Sequence, residues 1–401
     1  DVAAAQVHLR EAGQAYQDGN FDAFARSLET ASKLNPFSLA TRYNLACAYA
    51  LTDEPEKALG LLQSLVNARV DYGMANDADL ESLHGTTAFT DLLGDLEKNL
   101  RPISVSSLEF TIEQFGVVPE GIAIDTQTGR TFVGSMRSGN IFVRDSAGQL
   151  SRFATVEHDG TLAAIGLYVD HRKQMLWAVG SSFDLNENFD PEAPVRAGVF
   201  GFDLANGRLQ KKIIATDPGN GFNDLTIGPS GDMYISGSTV SVVRNGTDLI
   251  EPLKTSLPIV GSNGVVLSPD GEHLFVTSYP VGIAVVNLAN GNAHWLAAPD
   301  DITLYGIDGL YWYDGDLVGV QNGVRPWRLV RIELDDAMRE VTAARLIEFA
   351  NSTITPTTGA IVDDVIHYVG EGPAPENIPS HFPAGLARNS GKTIVMSAPL
   401  N

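Results

Sequence analysis

A short apolar strand motif recurs six times along the C-terminal three quarters of the chain. The copies read Gly-Ile-Ala-Ile-Asp from Gly121, Gly-Leu-Tyr-Val-Asp from Gly166, Asp-Leu-Thr-Ile-Gly from Asp224, Gly-Val-Val-Leu-Ser from Gly264, Gly-Leu-Tyr-Trp-Tyr from Gly309 and Gly-Ala-Ile-Val-Asp from Gly359. They are spaced at intervals of roughly 40–58 residues, and further strand-like runs and Gly- or Pro-bearing turns fill the gaps. Repetition at this period, with about one copy per four-stranded unit, predicts a six-bladed β-propeller in which each copy opens a blade.

In a propeller the first strand of every blade lines the central channel, so equivalent positions form a ring around one axis. The residue before each copy is, in chain order, Glu120, Ile165, Asn223, Asn263, Asp308 and Thr358. Glu120, Asn223, Asn263 and Asp308 all carry side-chain oxygens. Two carboxylates balance one divalent cation and two amide oxygens are neutral hard ligands. A set without His or Cys suits calcium better than zinc or copper. Asn and Asp also start strands simply by capping turns. Four of them in one ring point instead to a single Ca2+ in the central channel.

Acidic residues outnumber basic ones 49 to 27, giving a formal charge of −22. Nucleic acid and anionic membrane surfaces both call for basic patches, so neither is an expected partner. No apolar run reaches the roughly 18 residues of a membrane span. The single cysteine, Cys47, sits between Ala46 and Ala48 on a helical face and reads as a packed thiol.

Residues 1–101 read as a separate helical domain. Ala-rich segments carry apolar residues at i, i+3 and i+4. The turns at Asp18-Gly19-Asn20 and Thr52-Asp53-Glu54 are about 34 residues apart, the tetratricopeptide period. Tyr43-Asn44-Leu45-Ala46-Cys47-Ala48-Tyr49 resembles the first helix of that repeat and Glu56-Lys57-Ala58-Leu59 the start of its second. So few repeats do not stand alone, so this domain is expected to pack against the propeller or a second subunit. Pro102 stops the last helix and 104–107 reads as a linker. The alternating stretch Leu108–Ile112 precedes the first inner strand. It is expected to pair with the end of the chain and close a propeller spanning 105–401.

Within the propeller, the long polar segment from Ser181 to Arg196 joins two strands of blade two. It is expected on the ring face as a lid or pocket wall.

Pro-Glu-Gly at 119–121, Asn-Asp at 223–224, Ser-Asn-Gly-Val-Val-Leu-Ser-Pro-Asp-Gly at 262–271 and Asp-Gly at 308–309 occur in order. Together they resemble the gluconolactonase/senescence-marker-protein family, part of the calcium-dependent phosphotriesterase-like propellers. The resemblance implies a catalytic calcium on Glu120, Asn223, Asn263 and Asp308 at the channel mouth. It also implies hydrolysis of a lactone, ester or phosphoester, with Asp308 both ligand and general base or nucleophile. Sugar-lactone members carry an Arg two positions before the middle Asn. Here that residue is Gly221, which puts an aldonolactone in doubt.

Glu371, in Gly370-Glu371-Gly372, is a second candidate acid or base. Arg137, His158, Asp224, Arg325 and His381 are candidates for holding a small-molecule substrate.

The expected activity is therefore a calcium-dependent hydrolase. The alternative is a binding or scaffold protein with a structural calcium, which engages a protein partner or a second copy through its helices. A start at Asp1 without Met is compatible with a removed leader. That and the acidic composition suit a periplasmic or secreted setting, where calcium is plentiful.

Overall fold

The computed structural model describes residues 1–114, 116–158, 160, 162–216, 221–372 and 391–401. Five α-helices and two 3-10 turns come first: α1 (Val2–Gln17), α2 (Phe21–Leu34), α3 (Leu39–Leu51), α4 (Pro55–Asn67), the turns Met74–Asn76 and Ala78–Leu83, and α5 (Thr87–Asn99). Local chemistry sets their starts. Asp1, Asn20, Ser38 and Thr86 accept hydrogen bonds from the first turns of α1, α2, α3 and α5, and Pro55 opens α4. Small residues Ala46 and Ala58, both fully buried, let α3 and α4 pack closely. None of these helices is long and apolar enough to cross a membrane.

The remaining strands form six four-stranded antiparallel sheets. Five are built from consecutive strands. The sixth takes three strands from the C-terminal end and its outer strand, Ser107–Ile112, from just after the helices. Ser107 pairs with Ser397 and Ile112 with Thr393, so chain start and chain end close the ring. This removes the exposed edge that an open ring would leave.

The six inner strands, Pro119–Asp125, Leu162–Asp170, Phe222–Ile227, Ser262–Leu267, Ile307–Tyr313 and Thr355–Val362, share one irregularity. In each, two residues face one on the next strand: Glu120-Gly121, Ile165-Gly166, Asn223-Asp224, Asn263-Gly264, Asp308-Gly309 and Thr357-Thr358. Such a bulge bends the strand and re-aims the side chain it carries. It also corrects the blade-six ring position, which is Thr357 and not Thr358. The glycine of that blade, Gly359, comes one residue late because Thr358 fills the second bulge place.

The second bulge place is where neighbouring blades meet at the axis. A Cβ on Gly121 would stand 1.8 Å from the Ile165 carbonyl oxygen, one on Gly166 2.6 Å from Asp224 Cα, and one on Gly264 2.5 Å from the Asp308 carbonyl oxygen. The Thr358 hydroxyl donates to the Glu120 carbonyl and completes the circle.

The helices do not hang free. They sit on the ring face, over the loops of blades four and five. Asp71 N donates to Arg325 O (2.8 Å), Asn35 Nδ2 to Pro280 O (3.0 Å), and Val324 joins the helical core. Arg328 is buried and donates to the carbonyls of Ala68 (3.0 Å) and Arg69 (2.8 Å) at the end of α4, with its guanidinium over Phe349. Burial lowers its pKa to about 10, which leaves it charged at neutral pH. Arg328→Met keeps the bulk and removes both bonds. It is expected to destabilise the protein by about 3 kcal/mol, since bonds from a charged donor are worth roughly 1.5–3 kcal/mol each. The midpoint of urea unfolding measures this.

The segment read as a linker is tied down as well. Val105 N, Ser106 N and Ser106 Oγ all donate to one oxygen of Glu348, at 2.9, 3.0 and 2.7 Å. A buried carboxylate needs donors, and this stretch supplies them.

Candidate functional site

Glu120, Asn223, Asn263 and Asp308 occupy first bulge places in blades one, three, four and five, so the structure brings them to one ring at the channel mouth. Asn223 Oδ1, Asn263 Oδ1 and Asp308 Oδ1 are buried with no hydrogen-bond partner among the described residues. Buried polar atoms are nearly always satisfied, and three unsatisfied oxygens in one ring call for a ligand. The other Asp308 oxygen accepts from Asn322 Nδ2 at 2.5 Å. Asn322 in turn donates to Pro356 O (2.9 Å) and accepts from the Tyr279 hydroxyl (2.9 Å).

The electrostatics of the ring carboxylates are unfavourable for their charged forms. Burial pushes Glu120 well above the usual carboxylate range, and the charges of Asp308 and Asp224 push it further. Burial raises Asp308 to about 7, against the pull of amide bonds from Asn322 and Asn263.

The remaining ring places are Ile165 and Thr357. Ile165 is buried in an apolar cluster with Val118, Met136 and Ala163, against which Phe183 and Leu185 pack. Those two open the 183–196 connection of blade two, so its first residues pack beside the blade-two ring place. Thr357 donates to the Glu120 carbonyl at 3.1 Å.

The other sequence candidates are scattered. Glu371 ends the second strand of blade six, accepts from Gly391 N (2.6 Å), and is raised to about 7 by burial. Arg137 is buried in the blade-one loop on the ring face. Its carbonyl accepts from Glu187 N (3.0 Å), and burial lowers its pKa. His158 lies at the entry to blade two, 3.3 Å from Arg196. Arg325 is exposed at the seam with the helices. His381 falls outside the described residues.

Asp224 takes the second bulge place and lines the axial channel of about 330 Å3 with Tyr311 and Thr358, below the mouth where a substrate would enter. Burial raises it to about 7. A larger cavity, about 930 Å3, lies off the axis between the helices and blade four, lined by Arg42, Trp295 and Asp300 among others. Sequence reasoning missed Asn322 and Tyr279, which carry no periodic signal because they sit on loops.

No family model and no curated protein matches the sequence. Solved structures do match. A luciferin-regenerating enzyme aligns at 12% identity over 75% of this chain and 95% of its own, with a TM-score of 0.50. The calcium-binding protein regucalcin from Agrobacterium tumefaciens aligns at 16% identity over 74% and 95%, TM-score 0.49. A gluconolactonase from Xanthomonas campestris aligns at 13% identity over 75% and 96%, TM-score 0.49. The shared fold is the six-bladed propeller. At these identities the likeness extends to architecture alone.

Proposed function

We propose that the protein is a calcium-dependent hydrolase of lactones or related esters, acting at the channel mouth. The observation that carries this is the set of three buried oxygens with no partner among the described residues, one each from blades three, four and five, in the ring that also holds the buried Glu120. The donor set is all oxygen, with two carboxylates to balance a divalent charge, which fits calcium. When bound, calcium supplies Lewis acidity toward a carbonyl or phosphoryl oxygen.

The chain's own residues do the rest. Asn322 fixes the Asp308 carboxylate, so that its free oxygen points at one place. Asp308 then accepts a proton or attacks, and positioning supplies much of the rate. Glu371, held by Gly391 N, is the candidate second base. Ile165 and its apolar cluster keep one side of the mouth dry. The scaffold alternative loses ground because the helices spend part of their surface on the propeller.

The deciding experiment is a hydrolysis panel of γ- and δ-lactones, aryl esters and a phosphotriester, run with calcium and with chelator. Turnover that chelation abolishes supports the reading. Calcium binding by calorimetry without turnover moves the function to binding, and absence of both overturns the ring argument.

The pKa shifts make a second test independent of substrate. Asp308 and Glu120 are acids raised in the folded state, so between their ordinary values near 4 and about 7 the folded metal-free protein holds more protons than the unfolded chain. Stability then falls as pH rises through that window. Calcium replaces the protons and removes the penalty. The loss of Tm on chelation is therefore expected to be several-fold larger at pH 8 than at pH 5.5. An equal loss at both would mean that the metal does not bind these acids.

A further inference from the structure

A run of side chains leads from the ring to Tyr305, which packs on the helical region. Asp308 bonds to Asn322, and Asn322 to the Tyr279 hydroxyl. The Tyr279 ring meets the Tyr305 ring at 6.4 Å. Tyr305 packs against the core of the helices together with Tyr72, which follows α4. Tyr279, Tyr305 and Tyr72 are each half-buried, so part of each remains open to a ligand.

The local chain around Tyr72 is over-determined. Asp71 N is bonded to Arg325 O, and the Asp71 carboxylate accepts from Gly73 N (2.7 Å) and Met74 N (3.1 Å). Gly73 adopts φ 93°, a left-handed turn open to glycine. The Tyr72 ring leans on Tyr43 at 5.3 Å, and Tyr43 is itself anchored by a 2.6 Å bond to Asp77.

We propose that the helical region completes the active site, Tyr72 with Tyr305 and Tyr279 forming an aromatic wall beside Asp308 that selects substrates whose non-reacting part is an apolar ring. Tyrosine suits this, presenting an apolar face with a polar tip. At the blade-two ring place Ile165 is buried with Val118, Met136 and Ala163, with Phe183 packed against them, so that part of the ring also favours an apolar group over a polyol. The substrate class rests on the hydrolase reading; the placement of Tyr72 does not.

The test uses the full calcium-loaded chain and two probes, a phenyl-substituted γ-lactone and unsubstituted γ-butyrolactone. The quantity read is the ratio of kcat/KM for the two. Tyr72→Ala is expected to lower that ratio by ~10-fold in favour of the small lactone, the scale of one aromatic contact. Tyr72→Phe, which keeps the ring, is expected to retain it within about threefold. A ratio unchanged in Tyr72→Ala overturns the proposal, whatever happens to the rates themselves. Should Tyr72→Ala not fold, Tyr72→Gln keeps the bulk and carries the same expectation. If the wild type hydrolyses neither probe, the hydrolase reading fails separately. Binding of the phenyl-substituted lactone, measured by calorimetry, then decides: weakening by ~10-fold in the variant supports the aromatic wall. Equal or absent binding sinks it.

Discussion

Asp308→Asn is expected to abolish calcium-dependent turnover while leaving the metal-free protein at least as stable as the wild type. The amide keeps the shape and an oxygen toward Asn322, so the ring packing survives. It removes a carboxylate that burial has raised to about 7 and that shares its surroundings with Glu120 and Asp224. Without a cation, that cluster repels itself, so neutralising one member relieves the metal-free fold. With a cation the same change removes half of the balancing charge and the best-placed base. The expected loss of kcat/KM is on the order of 10²–10³ or more, the scale seen when one well-aimed electrostatic group is removed from an active site. Differential scanning calorimetry with calcium and with chelator checks both halves. The wild type should gain Tm on adding calcium and the variant should gain little. A metal-free variant clearly less stable than the wild type would assign Asp308 to the architecture and withdraw it from the chemistry.

This pairing of a stability gain with a functional loss belongs to a site that holds unfavourable charge for a purpose. It also explains why the ring was legible in the sequence. A side chain at the first bulge place faces the axis, whatever the blade. Polar residues there cannot be satisfied by their own sheet, so four of them in six places stand out against the apolar strands that follow. The apolar strands themselves gave away the blades, because each must bury both faces between its neighbours and does so at a fixed interval. Leu108–Ile112 was legible for a related reason: an alternating strand with no blade of its own has to close the ring.

Other features had no such signal. Thr357 was displaced to Thr358 in the sequence reading because the glycine of blade six stands one place late, and only pairing with Gly370 and Tyr368 reveals the bulge. Asn322 orients Asp308 from a loop, and Tyr72 lies more than 200 residues from the propeller tyrosines it joins. Contacts of that kind depend on how two regions dock, and docking is decided by groups such as Arg328. A lone arginine in an ordinary strand pattern does not announce that it caps a helix elsewhere. Asp224 shows the same limit on a finer scale. It adjoins Asn223 in sequence, but the bulge turns its side chain down the channel and not toward the mouth.

Gly121→Ala is expected to be the most damaging single-methyl change at the site, although it touches no metal-binding atom directly. The added Cβ would lie 1.8 Å from the Ile165 carbonyl oxygen and 2.9 Å from its carbon. Both belong to the backbone of the next inner strand, so no rotamer change relieves the clash. The two blades must part at the axis, where Glu120 is held between the Thr357 and Thr358 hydroxyls that bond to its carbonyl. Overpacking of a rigid core costs typically 1–3 kcal/mol and occasionally more, and a backbone obstacle puts this case at about 3 kcal/mol or above. For a domain of this size that corresponds to a fall in Tm of roughly 5 °C or more. Calcium affinity should fall with it, because the displaced strand carries Glu120. Gly13→Ala is the matched control. Gly13 is exposed within α1 and a Cβ there meets nothing within 4 Å. In a helix interior that change should stabilise by about 0.5–1 kcal/mol, the opposite sign for the same added atom. Thermal unfolding of the two variants side by side, with calcium titrations on each, tests the geometry of the axis. A Gly121→Ala protein that melts within about 1 °C of the wild type, against the cost set by overpacking, would mean that the inner strands stand further apart than the bulges imply.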